Sequence, residues 1–172
     1  TLKTILGSLE DVGKYNIWHG VLNTKDYGIP QSRNRLYIIG VLKELNSPFL
    51  EDPEKIPMRP LEEYVDHSDD IQHPRRMKIN SIIPNDCIFI DISMFNRNGY
   101  APKEYSPCLL KSGRVLWNCI YNRYATSNEL LSLQGFDPET FVNPGTYWSL
   151  KEQIGNTMSV NVLEVILRQL LE

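Results

Sequence analysis

Little in this chain points to a metal or to covalent stapling. The three cysteines, Cys87, Cys108 and Cys119, are an odd number with no pair at metal-ligand spacing, and the three histidines, His19, His67 and His73, are scattered. Both observations argue against a zinc site and against a disulfide framework. No apolar run approaches the roughly 20 residues a membrane helix needs, and the first residues lack the basic-then-apolar layout of a secretion signal. A soluble, intracellular chain with no membrane partner is therefore expected. There is no internal repeat, no low-complexity tract and no initiating methionine: the chain opens on Thr1. Its first residues already read as a helix, with Leu2, Ile5, Leu6 and Leu9 in one apolar stripe, so a fragment or a processed subunit is expected.

An excess of positive charge is also missing. The net charge of -3 argues against a generic nucleic-acid binder, but it averages over a gradient. Residues 71–123 carry +5 and the remainder -8. That segment is either a chance cluster on a solvated surface or a lobe facing phosphates. With 172 residues, 41% of them hydrophobic, the chain is long enough for one sizeable core with a small attached lobe.

The first 45 residues alternate in the way of an α/β unit: a helix to about Glu10, a strand over Tyr15 to Leu22, a loop, then a second strand. Asp26 to Pro30 is the loop, broken by Gly28 and Pro30. Leu36 to Leu42 is a near-continuous apolar run, the pattern of a strand covered on both faces. From Lys43 to Asp70 the composition turns acidic, with Pro48, Pro53, Pro57 and Pro60, and reads as a linker with one helical turn around Leu61 to Val65. Residues 71–120 offer short strand-like pieces, Cys87 to Ile92 and Val115 to Ile120, and predict a small, mostly β lobe. Thr126, Ser127, Asn128 and Glu129 have the spacing of a capping box, with a short helix through Leu130, Leu131 and Leu133 that stops at Gly135. Gly155 is read as preceding a second helix, whose apolar positions Val160, Val162, Leu163, Val165, Ile166 and Leu167 cover more than one face.

Gln31, Ser32, Arg33, Asn34 and Arg35 run straight into the apolar strand. A period of two puts Gln31, Arg33 and Arg35 on one side. Two guanidinium groups so close need compensation. Either they are surface arginines bridged by Asp26 or Glu44, or they form a site for a phosphate or a polarised carbonyl, which their planar donor fork suits.

The stretch from Asp26 to Arg35, with Gly28, Ile29, Pro30, Gln31, Arg33 and Arg35, resembles the Gly-hydrophobic-Pro-Gln-x-Arg-x-Arg motif of the DNA cytosine-5 methyltransferases. A second stretch, Arg123, Thr126 and Glu129 followed by Leu133, Gln134, Gly135 and Phe136, is similar to that family's Arg-x-x-Thr-x-x-Glu and Leu-Gln-Gly-Phe signature. A third, Gln153, Gly155, Asn156, Thr157 and Val160, resembles its closing Gln-x-Gly-Asn-Ser/Thr-Val segment, with Met158 in place of a usual valine. The three occur in the family's order, with the basic segment between the first two. The resemblance covers most of the chain except about Leu42 to Cys119.

It implies an α/β fold: the C-terminal part of a Rossmann-like, S-adenosylmethionine-dependent methyltransferase domain with a small target-recognition lobe. Residues 1–45 would complete the catalytic domain, 46–145 form the recognition lobe, and 146–172 return as a closing helix. In the family a cytosine of double-stranded DNA is flipped out, attacked at C6 by a cysteine thiolate and methylated at C5. Arg35 matches the arginine beside the base's carbonyl oxygen, where charge builds up. Arg33 matches one near the target strand and the catalytic loop, and Gln31 shapes the pocket. Asn156 and Thr157 match the pair beside the S-adenosylmethionine methyl donor, expected at the start of the last helix, where free amides attract an anionic group. A plain helix cap by Thr157 or Ser159 is the alternative. Thr126, Glu129, Gln134, Gly135 and Phe136 are assigned to structure. Arg97, Lys103, Lys111 and Arg114 are the candidates for DNA phosphate contact, while Phe89, Phe95, Tyr100, Tyr105 and Trp117 are read as core rather than as stacking platforms.

The family's glycine-rich donor turn, Pro-Cys-Gln nucleophile loop and Glu-Asn-Val segment are not in this sequence. Pro107-Cys108 imitates the nucleophile dipeptide, but Leu109 follows instead of Gln and the pair falls after the arginine motif. Cys108 is therefore not taken as the nucleophile. The expectation is a methyltransferase part, inactive alone, whose missing N-terminal portion is supplied in cis or by a separate subunit. The competing readings are a non-catalytic DNA-binding or regulatory module derived from such an enzyme, and an unrelated α/β protein with chance motifs.

Overall fold

The apolar stripe of the first residues does form a helix, α1 (Leu2–Asp11), begun by Thr1, whose hydroxyl accepts the Thr4 amide. A computed structural model describes residues 1–45, 51–68, 82–111, 115–142 and 145–171. After α1 come two long antiparallel strands, β1 (Tyr15–Asn23) and β2 (Asn34–Leu42), paired with Trp18 opposite Ile39, Val21 opposite Leu36 and Leu22 opposite Arg35. The loop between them holds a 3-10 turn over Thr24–Asp26.

One face of this pair, with Trp18, Leu22 and Tyr37, packs against Val162 and Ile166 of the last helix, α5 (Val160–Leu171). The opposite face is open: Val21 is 66% exposed and Leu36 44%. Within this chain, β2 is thus covered on one face, not on the two that its apolar run suggests.

Of the segment read as a linker, the described residues 51–68 dock along the loop before β2, and 46–50 and 69–70 lie outside the described residues. The Ile56 amide donates to the Asp26 carbonyl and the Arg59 amide to the Gly28 carbonyl, both at 3.0 Å. Gly28 takes a positive φ of 94° here, which a side chain would strain. The helical turn read around Leu61 is a 3-10 turn over Leu61–Tyr64, and it buries both of its end residues.

The lobe centres on a small antiparallel sheet, ordered β3 (Phe89–Asp91), β4 (Leu116–Asn118) and β5 (Arg123–Tyr124). The strand-like piece ending at Ile92 is cut short, because Asp91 caps a helix not read from the sequence, α2 (Ile92–Asn98), accepting the Met94 amide at 3.0 Å. Gly99, left-handed, ends it. Phe89, Phe95 and Trp117 are core, and with Leu130, Leu133, Leu150 and Ile154 they separate into two apolar clusters.

α3 (Ser127–Gln134) has the full capping box of Thr126 and Glu129 and stops on left-handed Gly135. Gly155 does precede α5, and it is itself helical. It lies in the last turn of a further helix, α4 (Tyr147–Asn156), capped by Thr146. Its buried Leu150 and Ile154, four apart, face α3 and the lobe core. Residues 146–172 therefore contain two helices: α4 belongs to the lobe core, and α5 to the β1–β2 layer.

Candidate active site

The site is built where three chain segments distant in sequence share buried hydrogen bonds. Residues 30–32 run parallel to the segment around Ser106: the Ser32 amide donates to the Ser106 carbonyl and the Ser106 amide to the Pro30 carbonyl. This pairing fixes which way Gln31 and Arg33 point. Gln31, fully buried, donates through Nε2 to the Leu133 carbonyl at 2.6 Å and to Gln134 Oε1 at 3.2 Å, and its Oε1 accepts the Leu109 amide.

Arg33 is 2% exposed. Its guanidinium donates to three backbone carbonyls: Leu109 at 2.5 Å, Gly155 at 3.0 Å and Thr157 at 2.7 Å. Neither Asp26 nor Glu44 bridges it, and Asp26 pairs with Lys55 instead. The ion-pair reading therefore does not describe Arg33. Carbonyl dipoles compensate its charge, and burial still pulls its pKa below the ordinary value. The remaining donor, Nε, is buried with no partner, so the fork faces the interior of this chain.

Arg35 is placed differently. It is half-buried, with Nη1 on the Asn34 carbonyl at 2.7 Å and Nη2 at 3.7 Å from Cys108 Sγ. Arg33 Nη1 reaches the same sulfur at 3.5 Å. The thiol thus lies between the two guanidinium groups, and both arginines and Gln31 do share one side of the strand.

The closing segment joins through Gln134, whose Nε2 donates to the Thr157 carbonyl and to Ser159 Oγ. Ser159 Oγ lies 2.5 Å from Thr24 Oγ1. Asn161 Nδ2 holds the Tyr27 carbonyl at 2.6 Å. Asn156 and Thr157 are not at the start of the last helix: Asn156 ends α4 and Thr157 is its C-cap, in extended conformation, with its hydroxyl on the Ile154 carbonyl. Asn156 and Met158 are exposed on this turn.

Gly155 explains how α4 can lie here. A Cβ at this position would come within 2.2 Å of the Lys111 amide nitrogen and 2.4 Å of the Leu110 carbonyl carbon. Only a residue without a side chain lets the backbone at 110–111 cross the helix so closely.

The remaining motif residues brace the lobe. Glu129, fully buried, accepts both Arg123 guanidinium nitrogens, the Asn118 amide group and the backbone amides of Thr126 and Asp66. Asp66 accepts the Thr126 hydroxyl at 2.9 Å. Burial opposes ionisation of Asp66, but hydrogen bonds from Ser68 and Thr126 and the charge of Arg123 hold its pKa below the usual carboxylate value.

Three of the four DNA candidates are described, all at the surface. Arg97 is exposed on α2, Lys103 is exposed and paired with Asp86, and Lys111 is exposed with its carbonyl accepting Lys151 Nζ. Arg114 falls outside the described residues. Lys151, Thr24 and Asn161 were passed over in the sequence, and Ser159 was read only as an alternative helix cap. The spacing of Lys151 from the α4 cap would have placed it on the helix, had α4 been read.

Comparison with known proteins bears on what this assembly is. The family described as C-5 cytosine-specific DNA methylase matches residues 1–104. The chain belongs to that family. Among curated methylases of this kind, it is 32% identical to the type II methyltransferase M.HaeII of Haemophilus aegyptius, over 96% of this chain and 54% of the relative. It is also 32% identical to M.NgoBI of Neisseria gonorrhoeae, over 95% of this chain and 53% of that protein. The chain thus spans about half the length of the curated methylases it matches.

Its fold is that of solved methyltransferases. The Spodoptera frugiperda DNMT2 structure superposes with a TM-score of 0.66 at 15% identity, covering 100% of this chain and 62% of its own. A prophage-encoded putative DNA modification methyltransferase from E. coli gives 0.64 at 21% identity, covering 93% and 61%. The architecture is accordingly that of part of an α/β methyltransferase fold, with a small lobe attached. No described helix is long and apolar enough to cross a membrane.

Proposed function

We propose that this methylase-family chain is the target-recognising part of a DNA cytosine-5 methyltransferase, which moves a methyl group from S-adenosylmethionine to C5 of a flipped-out cytosine in double-stranded DNA. The observation that supports this reading is the hydrogen-bonded junction itself. Arg33 and Gln134 both end on the Thr157 carbonyl, so the strand that carries Arg35 is fastened to the turn that carries Asn156. A base-binding group and a donor-binding turn must keep a fixed separation for methyl transfer, because misplacement by even about 1 Å costs about a hundredfold in rate.

In this proposal Arg35 is the residue that meets the base. Its side chain is half-buried, with one guanidinium edge facing a weak sulfur acceptor, and a carbonyl oxygen would compete well for that edge. Donation there would stabilise negative charge as it builds on the ring. Gln31 and Arg33 would hold the pocket wall without touching substrate. Asn156 and Thr157 would border the methyl donor; the exposed Asn156 side-chain amide fits a polar, zwitterionic ligand, while the Thr157 main chain is already hydrogen-bonded within the junction and would hold the turn in place. S-adenosylmethionine would supply the electrophilic methyl group. Arg97, Lys103, Lys111 and Arg114 would contact phosphates. Of a domain division at about residues 45 and 145, the first boundary would separate the catalytic layer from the recognition lobe, while beyond the second α4 would stay with the lobe core and only α5 return to the catalytic layer. The nucleophile would come from N-terminal sequence, in cis or as a partner subunit.

Mixing the chain with a separately produced segment that carries a Pro-Cys-Gln loop, then measuring methyl transfer to cytosine-containing duplex, tests the proposal. Activity is expected only in the mixture and is expected to collapse with Arg35→Ala. Transfer by the chain alone, or a mixture indifferent to Arg35, overturns it.

A further inference from the structure

Away from the arginine strand, two of the three free cysteines stand together in the lobe. The β3–β4 register puts Phe89 opposite Asn118, and the Cys119 amide continues the ladder onto the Ile88 carbonyl at 2.8 Å. Cys87 therefore lies beside Cys119 where the two strands leave the sheet. Both side chains turn into the same apolar cluster, with Ile90, Phe95 and Trp117. Cys87 Sγ donates to the Pro102 carbonyl at 3.2 Å, and Cys119 Sγ faces the Trp117 carbonyl at 4.0 Å. Neither sulfur takes part in the junction around Arg33.

We propose that Cys87 and Cys119 form a dithiol site that hydrogen peroxide closes to an intramolecular disulfide within the lobe. The chemistry balances with one peroxide and no other reagent. The Cys87 thiolate attacks a peroxide oxygen; an S–O bond forms, the O–O bond breaks, and the departing hydroxide takes the Cys119 proton to leave as water. The Cys119 thiolate then attacks Cys87 Sγ, the S–S bond forms as the S–O bond breaks, and the second hydroxide takes up the proton that Cys87 had released. Two thiols are oxidised by two electrons and one peroxide is reduced to two waters. The nearness of the two thiols favours this order: interaction with Cys119 holds Cys87 below the ordinary thiol pKa although burial opposes it, and Cys119 is pushed up.

The two cysteines bracket a part of the chain that matters to the lobe. Between them lie Arg97, Lys103, Lys111 and Arg114, together with the Ser106–Leu109 segment that pairs with residues 30–32. A disulfide here ties off the base of that excursion. The dithiol site itself does not depend on the proposed methyl transfer.

The native chain is treated with hydrogen peroxide, its remaining thiols are blocked with iodoacetamide, and unreduced digests are read by mass spectrometry. The expected result is a Cys87–Cys119 cross-linked peptide lighter by two hydrogens than its two halves, reversed by dithiothreitol, and in excess over both pairings that involve Cys108. In guanidinium chloride that preference is expected to disappear. Cys108→Ser should keep the cross-link and Cys119→Ser should abolish it. Comparable amounts of all three pairings in the native chain, or oxidation of Cys108 with Cys87 and Cys119 still open to alkylation, overturns the proposal.

Discussion

Arg33 and Arg35 stand two residues apart on one strand and have different surroundings, so they answer differently to the same substitution. Lysine keeps the charge but not the planar fork. At position 33 it cannot reach the Leu109, Gly155 and Thr157 carbonyls together, and buried acceptors are left unpaired. Arg33→Lys is expected to destabilise the chain by about 2 to 3 kcal/mol, while Arg35→Lys stays within about 0.5 kcal/mol. Urea denaturation of the two variants side by side checks this. Glu129 poses a sharper case, because its removal strands a guanidinium that is 4% exposed. Glu129→Ala is expected to cost about 3 to 5 kcal/mol, more than Glu129→Gln, which keeps acceptors for the amides. Asp66 adds a pH dependence. Its carboxyl sits below the ordinary value of 3.8 in the fold, so its stabilising contribution is complete above that value and is lost as pH falls through the lower, folded value. Thermal melts from pH 5 downward should show the loss, and Asp66→Asn should flatten it.

At the scale of elements, legibility in the sequence followed how locally each element is specified. β1, β2 and α3 were readable because alternation, β-branched runs and a capping box lie within a few residues. α2 and α4 were not. α2 is only seven residues long, and the sole sign of its start, Asp91, sits at the end of a strand-like run. In α4 a glycine near the end was read only as the approach to the last helix, and its purpose appears only when the backbone at Lys111 is seen against it. The candidate site shows the same division. Motif order made Gln31, Arg33 and Arg35 stand out, but the acceptors that bury two of them are main-chain carbonyls of remote segments, and no side-chain pattern announces a carbonyl. The crossing at Gly155 yields its own prediction. Gly155→Ala, although alanine favours helix, is expected to destabilise by about 1 to 3 kcal/mol, because a methyl group there displaces backbone on both sides. Gly7→Ala, in α1 with open space around it, should stabilise slightly. Circular-dichroism melts of both variants decide it.

Across the whole molecule, charge is distributed unevenly, and the structure ranks the cations that the sequence could only name. Lys103 already has Asp86 as a partner, whereas Lys111 is exposed with no acid paired to it among the described residues. If these residues meet phosphates, each free cation releases about one counterion on binding. Lys111→Ala is then expected to lower the salt dependence of DNA binding by about one in log-log slope, and Lys103→Ala by less. Filter binding or anisotropy over a salt series measures both.

The Arg33 fork has a temporal consequence as well. Its acceptors lie 76, 122 and 124 residues further along the chain. During synthesis the strand that carries it leaves the ribosome long before Gly155 and Thr157 do, and until they arrive its Nη2 has only water. Contacts at such separations close late. The arginine strand therefore reaches its final form as one of the last events of folding, and its pocket cannot assemble on a chain whose synthesis stops short of the turn after α4.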